Sequence, residues 1–427
     1  MPACAVVMNM YHTGLGIARS LGERGVNVIG LTSNRTAFGN FTRYARIVHG
    51  PDSREQPEEL RSFLLKIGQE LGNRAVLFPT RDDDLVFLDR FRNELEAQFS
   101  LVLPESSVLK ACLSKWDTYL WSKQAGIDAP NCWVVKHHTD LQSALHEVTY
   151  PCVLKPISSR YWRHGMNCKL VGGRKAIGIY SKQELIEAYK TIAEVDERVL
   201  IQEMVVGADS CLMITACYLD RKSRWVAGFN AQKLIQFPET FGIGCIVQAV
   251  DRSELFEPTV RLLQAIKFTG IAEVEYKWDP QAARYKLIEV NPRPWNQHRL
   301  GAACGVDLIY VAYCEHAGLA IPPIRQSVSG QKWIAEDSFI SSTLHLLTHR
   351  NARVRPLLHE ARGELIFGIW SLADPVPMIA CVIGQIVPGM LKSAVRVIWA
   401  AVKRTVLPAH SLRRKRRIYA RETTASR

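Results

Sequence analysis

The first hundred residues alternate between short apolar runs and amphipathic helical patterns. Residues 3–9 (ACAVVMN) are apolar, a helical pattern follows from about Ile17 to Arg24, and Val26–Leu31 is apolar again. A strand, a helix and a second strand within about thirty residues predict a βαβ unit and therefore a parallel sheet. Two further strands are expected in the same small α/β domain, at Ala75–Pro79 and Leu101–Pro104.

The middle of the chain follows a different order of patterns. After a predicted helix at Leu113–Gln124, a compact β-loop-β-α-β module is expected, with its elements at Cys152–Lys155, 157–174, Lys175–Tyr180, Lys182–Ala193 and Val199–Val205. A third region holds two strands, a helix and a hairpin-like pair, at Leu212–Leu219, Val226–Ala231, Glu254–Lys267, Ile271–Trp278 and Tyr285–Asn291.

Composition limits the class of protein. The 427 residues, of which 47% are hydrophobic and 22% charged, predict two to four globular domains and exclude a disordered chain. The net charge is +13, but residues 392–427 carry eleven basic residues and one acidic residue, which leaves the rest nearly neutral. The basic character therefore belongs to a tail and does not indicate nucleic-acid binding.

Cysteine usage and the N-terminus predict a cytoplasmic protein. The eleven cysteines are scattered without a C-x-x-C pair, as is typical of reduced thiols. The N-terminal MPACAVVMNMYHTGLG lacks the basic and apolar regions of a signal peptide. Gly14-x-Gly16 resembles the start of a dinucleotide fingerprint, but Arg19 replaces the third glycine, which favours a simple tight turn at the end of a strand.

The most informative stretch is IAEVEYKWDPQAARYKLIEVNPRP, residues 271–294. Because strand side chains alternate, Glu275 and Glu289 would face each other across a hairpin that turns near residues 281–283, and Asn291 would lie beside them. Facing carboxylates repel unless a cation lies between them, and an all-oxygen ligand set suits Mg²⁺. A solvated acidic sheet face remains the alternative.

Basic residues near these carboxylates are candidates for binding anions. Lys155 ends an apolar strand before Pro156 and needs an anionic partner, either a nucleotide phosphate or a structural carboxylate. Arg293 could stabilise charge on a reacting group or form an ordinary surface salt bridge. The polar loop at 157–174 could cover phosphates; its candidate residues are Ser158, Ser159, Arg160, Arg163, His164, Gly165, Gly172 and Gly173.

Six segments in order resemble the ATP-grasp superfamily, and in particular its carboxylate–amine ligases, including D-aspartate ligase-type enzymes, and the ATP-binding domains of carbamoyl-phosphate synthase and biotin carboxylase. The resemblance covers about residues 1–320. The segments are SKWDTYLWSKQAGI (114–127), YPCVLKP (150–156), VLIQEMVVGADS (199–210), AQKLIQFP (231–238), GIAEVEYK (270–277) and LIEVNPRPW (287–295).

The resemblance implies a mixed α/β and α+β architecture. An ATP-grasp fold would follow a Rossmann-like pre-ATP-grasp domain and precede a helical, basic C-terminal extension. The implied domains are residues 1–110, residues 111–325 with a small lid subdomain at about 150–206, and residues 326–427. Two features depart from the family pattern: bulky residues in the loop ISSRYWRHGMNC, and Ser210 near a position where related chains often have an acid.

The resemblance also implies a role for each matching residue. Lys115 and Lys155 would contact ATP phosphates, and Glu203 and Val205 would lie around the adenine and ribose. The implied ligands for Mg²⁺ (or Mn²⁺) are Glu275, Glu289 and Asn291. The implied catalytic residues, near the transferred phosphate and the substrate carboxylate, are Lys233 and Arg293.

The implied activity is ATP-dependent joining of a small-molecule carboxylate to an amine, or to a thiol, through an acyl phosphate, with release of ADP and phosphate. The alternatives are a bicarbonate-activating carboxylase or carbamoyl-phosphate-synthase-like enzyme, and a non-catalytic ATP-binding regulatory protein at the membrane. Neither the substrates nor the oligomeric state follow from the sequence. Candidate lining residues of the acceptor pocket are Thr13, Arg81, Asp82, Asn296 and His298.

The C-terminal segment is expected to be helical and basic. One face of the expected helix carries the apolar residues Leu391, Val395, Ile398 and Val402, and another face carries the basic residues Lys392, Arg396 and Lys403. Five consecutive basic residues, RRKRR, follow at 413–417. A basic amphipathic helix is typical of attachment to an anionic membrane surface, here through residues 391–417 at the cytoplasmic face. A helix packed on the protein body remains the alternative.

Overall fold

The computed structural model describes residues 3–158, 162, 171, 175–194, 196–237, 241–328, 330–348 and 354–391. Most of the predicted phosphate-covering loop lies outside the described residues, including Ser159, Arg160, Arg163, His164, Gly165, Gly172 and Gly173. The basic segment from residue 392 onward also lies outside them.

The N-terminal part is built on the predicted parallel sheet, which has five strands in the order β3-β2-β1-β4-β5. Its central strands are buried on both faces, which explains their continuous apolar sequence. The strands are β1 (Ala5–Met8), β2 (Val28–Thr32), β3 (Arg46–His49), β4 (Ala75–Phe78) and β5 (Phe99–Leu101). The helices are His12–Gly22, Pro57–Leu71, Asp82–Arg90, Arg92–Leu95 and Ser106–Leu113.

The two predicted fingerprint glycines lie within the first turns of the helix His12–Gly22 and not in a tight turn, so that interpretation was wrong. A Cβ on Gly14 would lie 1.8 Å from the carbonyl oxygen of Asn9, and a Cβ on Gly16 would lie 2.6 Å from Nε2 of His298. Both glycines are therefore required by close packing of this helix against its neighbours.

The second sheet is small, antiparallel and four-stranded, in the order β6-β9-β7-β8. Its strands are β6 (Cys132–Val135), β7 (Cys152–Pro156), β8 (Ile177–Ile179) and β9 (Val199–Glu203). The helices His138–Glu147 and Lys182–Ala193 share a buried apolar cluster with these strands. The two inner strands, β9 and β7, pair with each other and carry Gln202 and Lys155, which both line the cavity described below.

The third sheet has seven strands in the order β14-β13-β10-β11-β12-β15-β16, antiparallel except for the last pair. Its strands are β10 (Leu212–Leu219), β11 (Trp225–Phe237), β12 (Ile243–Ala249), β13 (Gly270–Asp279), β14 (Arg284–Asn291), β15 (Lys332–Ile334) and β16 (Leu365–Phe367). β11 extends six residues beyond the predicted end at Ala231. The helices of this region are Lys115–Gln124, Phe256–Ala265, His298–Ala303 and Leu308–His316.

The C-terminal extension packs on the body of the protein as far as the structure describes it. Its helices are Glu336–Thr348, Val354–Glu360 and Val376–Cys381, and the last continues helically to Leu391 through a π-helical turn at Val382–Ile386. None of the helices in the described ranges is long and apolar enough to cross a bilayer. The predicted amphipathic helix beyond Leu391 lies outside the described residues.

Candidate active site

A cavity of about 690 Å³ lies between the small sheet and the β13–β14 end of the large sheet. Side chains from both sheets and from the loop that follows β4 line this cavity. The structure brings all nine predicted site residues to its lining: Lys115, Lys155, Glu203, Val205, Lys233, Glu275, Glu289, Asn291 and Arg293.

The centre of the cavity is the pair of facing carboxylates predicted for the hairpin. Glu275 on β13 is directly opposite Glu289 on β14, and Glu273 is opposite Asn291. The turn that sets this register is stabilised by Asp279, whose Oδ1 accepts hydrogen bonds from the backbone N–H groups of the two residues that follow Pro280. The turn sets the pairing from Asp279 opposite Arg284 to Tyr276 opposite Leu287, and a one-residue bulge beside Glu275 then shifts the register, so that all four polar side chains come to one place.

Two lysines pair with the facing carboxylates. Nζ of Lys233 lies 2.5 Å from Oε1 of Glu275, and Nζ of Lys115 lies 3.3 Å from Oε2 of Glu289. Burial alone would raise the pKa of Glu289, but the surrounding lysine charges, that of Lys115 above all, hold it well below its usual range. Burial and the neighbouring Glu275 raise the pKa of Glu273. The site is thus strongly charged in both signs.

The donor atoms around the hairpin fit Mg²⁺. Glu275 and Glu289 offer carboxylate oxygens, and Asn291 donates through Nδ2 to Glu273 and Glu289 at 3.1 Å each. A 180° rotation of that amide would present its oxygen to a cation instead. Among the described residues no group of three or more His, Cys, Asp and Glu side chains is arranged to hold a metal. One or two carboxylates completed by substrate phosphates and water are typical of Mg²⁺.

Lys155 carries a positive charge into the cavity without a carboxylate partner in the described part of the chain. Its Nζ donates to Oε1 of Gln202 at 2.5 Å, and the side chain is buried. Burial, and secondarily the charge of Lys115, lower the pKa of Lys155 to about 8. No carboxylate of the described residues is therefore a structural partner of Lys155, and its ammonium group is positioned to meet an incoming anion.

Glu203 lies at the end of β9, where the small sheet meets the cavity. Its Oε1 accepts from Nζ of Lys286 at 2.7 Å and its Oε2 accepts from the backbone N–H of Asn131 at 3.1 Å. Lys286 also pairs with Asp279 at 2.9 Å. These contacts link the small sheet to the β13–β14 hairpin, and Val205 lies buried just beyond them.

Arg293 connects the cavity to the N-terminal part of the chain. Its Nε lies 2.7 Å from Oδ1 of Asp82, and both side chains are buried or nearly so. Burial opposes the charge, but Asp82 outweighs it together with the cavity carboxylates, and the pKa of Arg293 is raised. The pair is therefore an internal link rather than the surface salt bridge considered from the sequence.

The candidate acceptor residues divide into two groups. Arg81, Asp82 and Asn296 line the cavity, whereas Thr13 and His298 do not. Oγ1 of Thr13 lies 2.7 Å from Oδ1 of Asn296, and Nε2 of His298 lies 3.2 Å from the carbonyl oxygen of Thr13. The expectation that Thr13 and His298 line the pocket was wrong, because both are buried behind Asn296.

Two cavity residues were not assigned a role from the sequence. Gln202 orients Lys155, and its only sequence signal is a polar residue at the end of an apolar strand. Glu273 shares the face of Glu275, which the period of the strand already indicated. The strand pairing also has a β-bulge between Glu275 and Tyr276, for which the sequence offers no signal.

The family described as carbamoyl-phosphate synthase L chain, ATP binding domain, matches residues 244–320. The D-aspartate ligase of Enterococcus faecium is 23% identical to this chain over 300 residues, which are 67% of this chain and 69% of that protein. The D-alanine–D-alanine ligase of Pseudomonas entomophila is 24% identical over 182 residues, which are 40% of this chain and 51% of that protein. The aligned part therefore spans about half of the second relative.

Solved structures of similar shape include the biotin carboxylase of Campylobacter jejuni, with a TM-score of 0.59, 15% identity and coverage of 75% of this chain and 73% of that one. The N5-carboxyaminoimidazole synthetase of Staphylococcus aureus has a TM-score of 0.60, 15% identity and coverage of 82% and 85%. At these identities the likeness shows the fold. The fold class predicted from the sequence is confirmed.

Proposed function

We propose that this chain, which is similar to ATP-grasp carboxylate–amine ligases, uses ATP to activate a small-molecule carboxylate and transfers the acyl group to an amine. One observation carries the proposal: facing carboxylates on adjacent strands share a single cavity with a buried lysine whose only polar partner among the described side chains is an amide. That arrangement suits a nucleotide triphosphate bound with a cation.

The proposed reaction has two steps. An oxygen of the substrate carboxylate attacks the γ-phosphorus of ATP, the bond to the β,γ-bridging oxygen breaks, and ADP leaves with an acyl phosphate formed. The amine then attacks the acyl carbon, phosphate leaves, and the amine gives up one proton. A free carboxylate is unreactive toward amines near neutral pH, so phosphorylation supplies the leaving group.

The residues of the chain have distinct proposed roles in these steps. Lys155 and Lys115 offset the charge of the ATP phosphates, while Lys233 and Arg293 offset charge on the transferred group and on the tetrahedral intermediate. Glu275, Glu289 and Asn291 would hold Mg²⁺ (or Mn²⁺). When bound, that ion would neutralise charge on the phosphate oxygens.

We propose residues 150–206 as a lid subdomain, within an ATP-grasp domain of residues 111–325 that follows a domain of residues 1–110 and precedes an extension of residues 326–427. The sheet of this lid also takes in β6, which pairs with β9, and the lid contacts the rest of the molecule through Lys286 with Glu203 and through the backbone N–H of Lys115 with the carbonyl of Ile157. A lid of this kind would exclude water that could hydrolyse the acyl phosphate.

Trapping of the intermediate tests the proposal directly. The protein, MgATP and one carboxylate at a time would be incubated with hydroxylamine, which converts an acyl phosphate into a hydroxamate. D-Aspartate and other amino acids are the first carboxylates to use, because a relative is a D-aspartate ligase. We expect a hydroxamate and an equal amount of ADP with the correct carboxylate.

The same assay separates the alternatives. ADP release that depends on bicarbonate, without a hydroxamate from any organic acid, would identify a carboxylase. Binding of ATP measured by calorimetry, with no ADP release in any mixture, would identify a non-catalytic ATP-binding protein.

The pH dependence of ATP binding should follow the charge on Lys155. Because the pKa of Lys155 is lowered to about 8, the free protein loses this positive charge as the pH rises through that value, and the Kd for ATP should rise above it. Arginine stays protonated throughout this range, so a Lys155→Arg variant should keep its affinity to higher pH. Calorimetric titration between pH 7 and about pH 10 measures both; a Kd in the unmodified protein that does not change over this range would contradict the assignment.

We also propose that residues 391–417 hold the protein peripherally at the cytoplasmic face of a membrane. The proposal is supported by the helical spacing of Leu391, Val395, Ile398 and Val402 and by the five consecutive basic residues from Arg413 to Arg417. Basic residues near an anionic bilayer each contribute about 1 kcal/mol of attraction.

A further inference from the structure

A row of large apolar side chains covers the outer face of the last described helix and includes one residue of the turn before it. We call this row the apolar stripe; its members are Leu372, Val376, Ile379, Ile383, Val387, Met390 and Leu391, which are between 43% and 88% exposed. Single exposed apolar residues are ordinary, but a contiguous set of this kind marks a binding surface. Trp370, which is also exposed, lies just before the stripe in the chain.

The stripe belongs to a helix whose opposite face is firmly packed. From Val376 to Met390 its members recur at intervals of three or four residues, with the π-helical turn at Val382–Ile386 in the middle. On the inner face Cys381 and Ile386 are buried in a cluster with Leu15 and Phe38 of the N-terminal part. The exposed face is therefore held in a fixed position on the body.

A buried ion pair anchors the start of this segment. Oδ2 of Asp374 lies 3.0 Å from Nε of Arg19 and accepts from Oγ1 of Thr42 at 2.6 Å. Arg19 also donates to the carbonyl oxygens of Ile369 and Asp374. The side chains of the apolar stripe are thus exposed on a segment that buried contacts hold against the body of the protein.

Charge along the chain indicates what covers the stripe. No charged residue occurs from Pro375 to Leu391, and the next 36 residues carry eleven basic residues and one acidic residue. An apolar helix face beside a strongly positive segment matches an anionic bilayer, which offers both an apolar interior and negative headgroups. A second copy of the chain would instead bring two positive segments together.

We propose that the apolar stripe inserts into the interfacial layer of an anionic lipid bilayer, with Trp370 at the level of the headgroups. Tryptophan is enriched at that level because its ring is apolar and its N–H is polar. This inference rests on the proposed peripheral attachment, and it assigns the apolar part of that attachment to folded residues upstream of the basic tail.

Flotation of the full-length protein with phosphatidylcholine vesicles, containing or lacking phosphatidylglycerol, tests the inference. An Ile383→Glu variant should lose about tenfold in its partition onto the anionic vesicles, because a large apolar side chain is replaced by a charge. Leu319→Glu is the matched control, since Leu319 is exposed to 43% on another part of the surface, and its partition should not change. Both variants should keep the ADP release of the unmodified protein in the absence of vesicles.

A third variant separates the stripe from the tail. With Arg413, Arg414, Lys415, Arg416 and Arg417 replaced by Gln, the partition onto anionic vesicles should fall while the remaining binding still depends on Ile383. Full binding by Ile383→Glu, with loss only in the tail variant, would overturn the role of the stripe. A dimer in sedimentation that Ile383→Glu dissociates would overturn the lipid assignment and favour a second copy. Failure of the monomeric protein to bind either kind of vesicle would also overturn it. If neither the unmodified protein nor any variant releases ADP, the proposed ligase activity is contradicted. The flotation result still reports on membrane binding, because it does not depend on that activity.

Discussion

Replacing Glu289 by Gln should lower the substrate-dependent release of ADP by about a thousandfold. The substitution keeps the shape of the side chain but removes one of the two carboxylates that face each other across β13 and β14. The remaining Glu275 is already paired with Lys233 at 2.5 Å. We therefore expect the Mg²⁺ concentration for half-maximal activity to rise as well, which a titration of ADP release against Mg²⁺ would measure.

The control for this variant is Glu257→Gln, which removes an exposed carboxylate from the helix Phe256–Ala265 and should leave the activity unchanged. The fold of Glu289→Gln should survive, because loss of the pairing with Lys115 is offset by relief of the repulsion from Glu275. A Glu289→Gln protein that releases ADP at the original rate, with an unchanged Mg²⁺ requirement, would remove the carboxylate pair from the mechanism.

The variant Arg293→Met should affect both activity and stability. Activity should fall by about a hundredfold or more, because a cation that faces the reacting group is lost. The free energy of unfolding should fall by about 3 kcal/mol, since Asp82 would keep its buried charge after losing this ion-pair partner. ADP release and denaturant unfolding measure the two effects.

A double variant separates the two roles of Arg293. Adding Asp82→Asn to Arg293→Met neutralises the remaining carboxylate and should recover most of the lost stability, while the activity should stay low. If activity returns together with stability, Arg293 supports the fold alone and has no part in the chemistry.

The hairpin site could be predicted because its geometry is local. Glu275 and Glu289 lie on adjacent strands joined by one tight turn, and the two-residue period of a strand places Asn291 on the face of Glu289. A one-residue bulge beside Glu275, which no sequence signal indicates, is what brings Glu275 opposite Glu289. The same reasoning applies to Lys155. A lysine at the end of an apolar strand needs an anionic or polar partner whatever the strand packs against. The ATP-grasp resemblance added the order of the segments, and the shared cavity is consistent with it.

Other features depend on how separate parts of the chain pack together. The partner of Lys155 is Gln202 rather than a carboxylate, which follows from the pairing of β7 with β9 across 47 residues of sequence. Thr13 and His298 support Asn296 from behind instead of lining the pocket. No local pattern distinguishes a residue that lines a cavity from one in the layer beneath it.

The sequence by itself determined many of the strands and helices, the placement of the two carboxylates on neighbouring strands of one hairpin and the concentration of positive charge in the tail, because each depends on spacing along a single segment. Only the tertiary structure decided that Arg293 pairs with Asp82 across 211 residues and that the apolar stripe faces outward. The physical reason is that an apolar helical pattern specifies a face to be covered, whereas the packing of the remaining elements determines whether protein covers it.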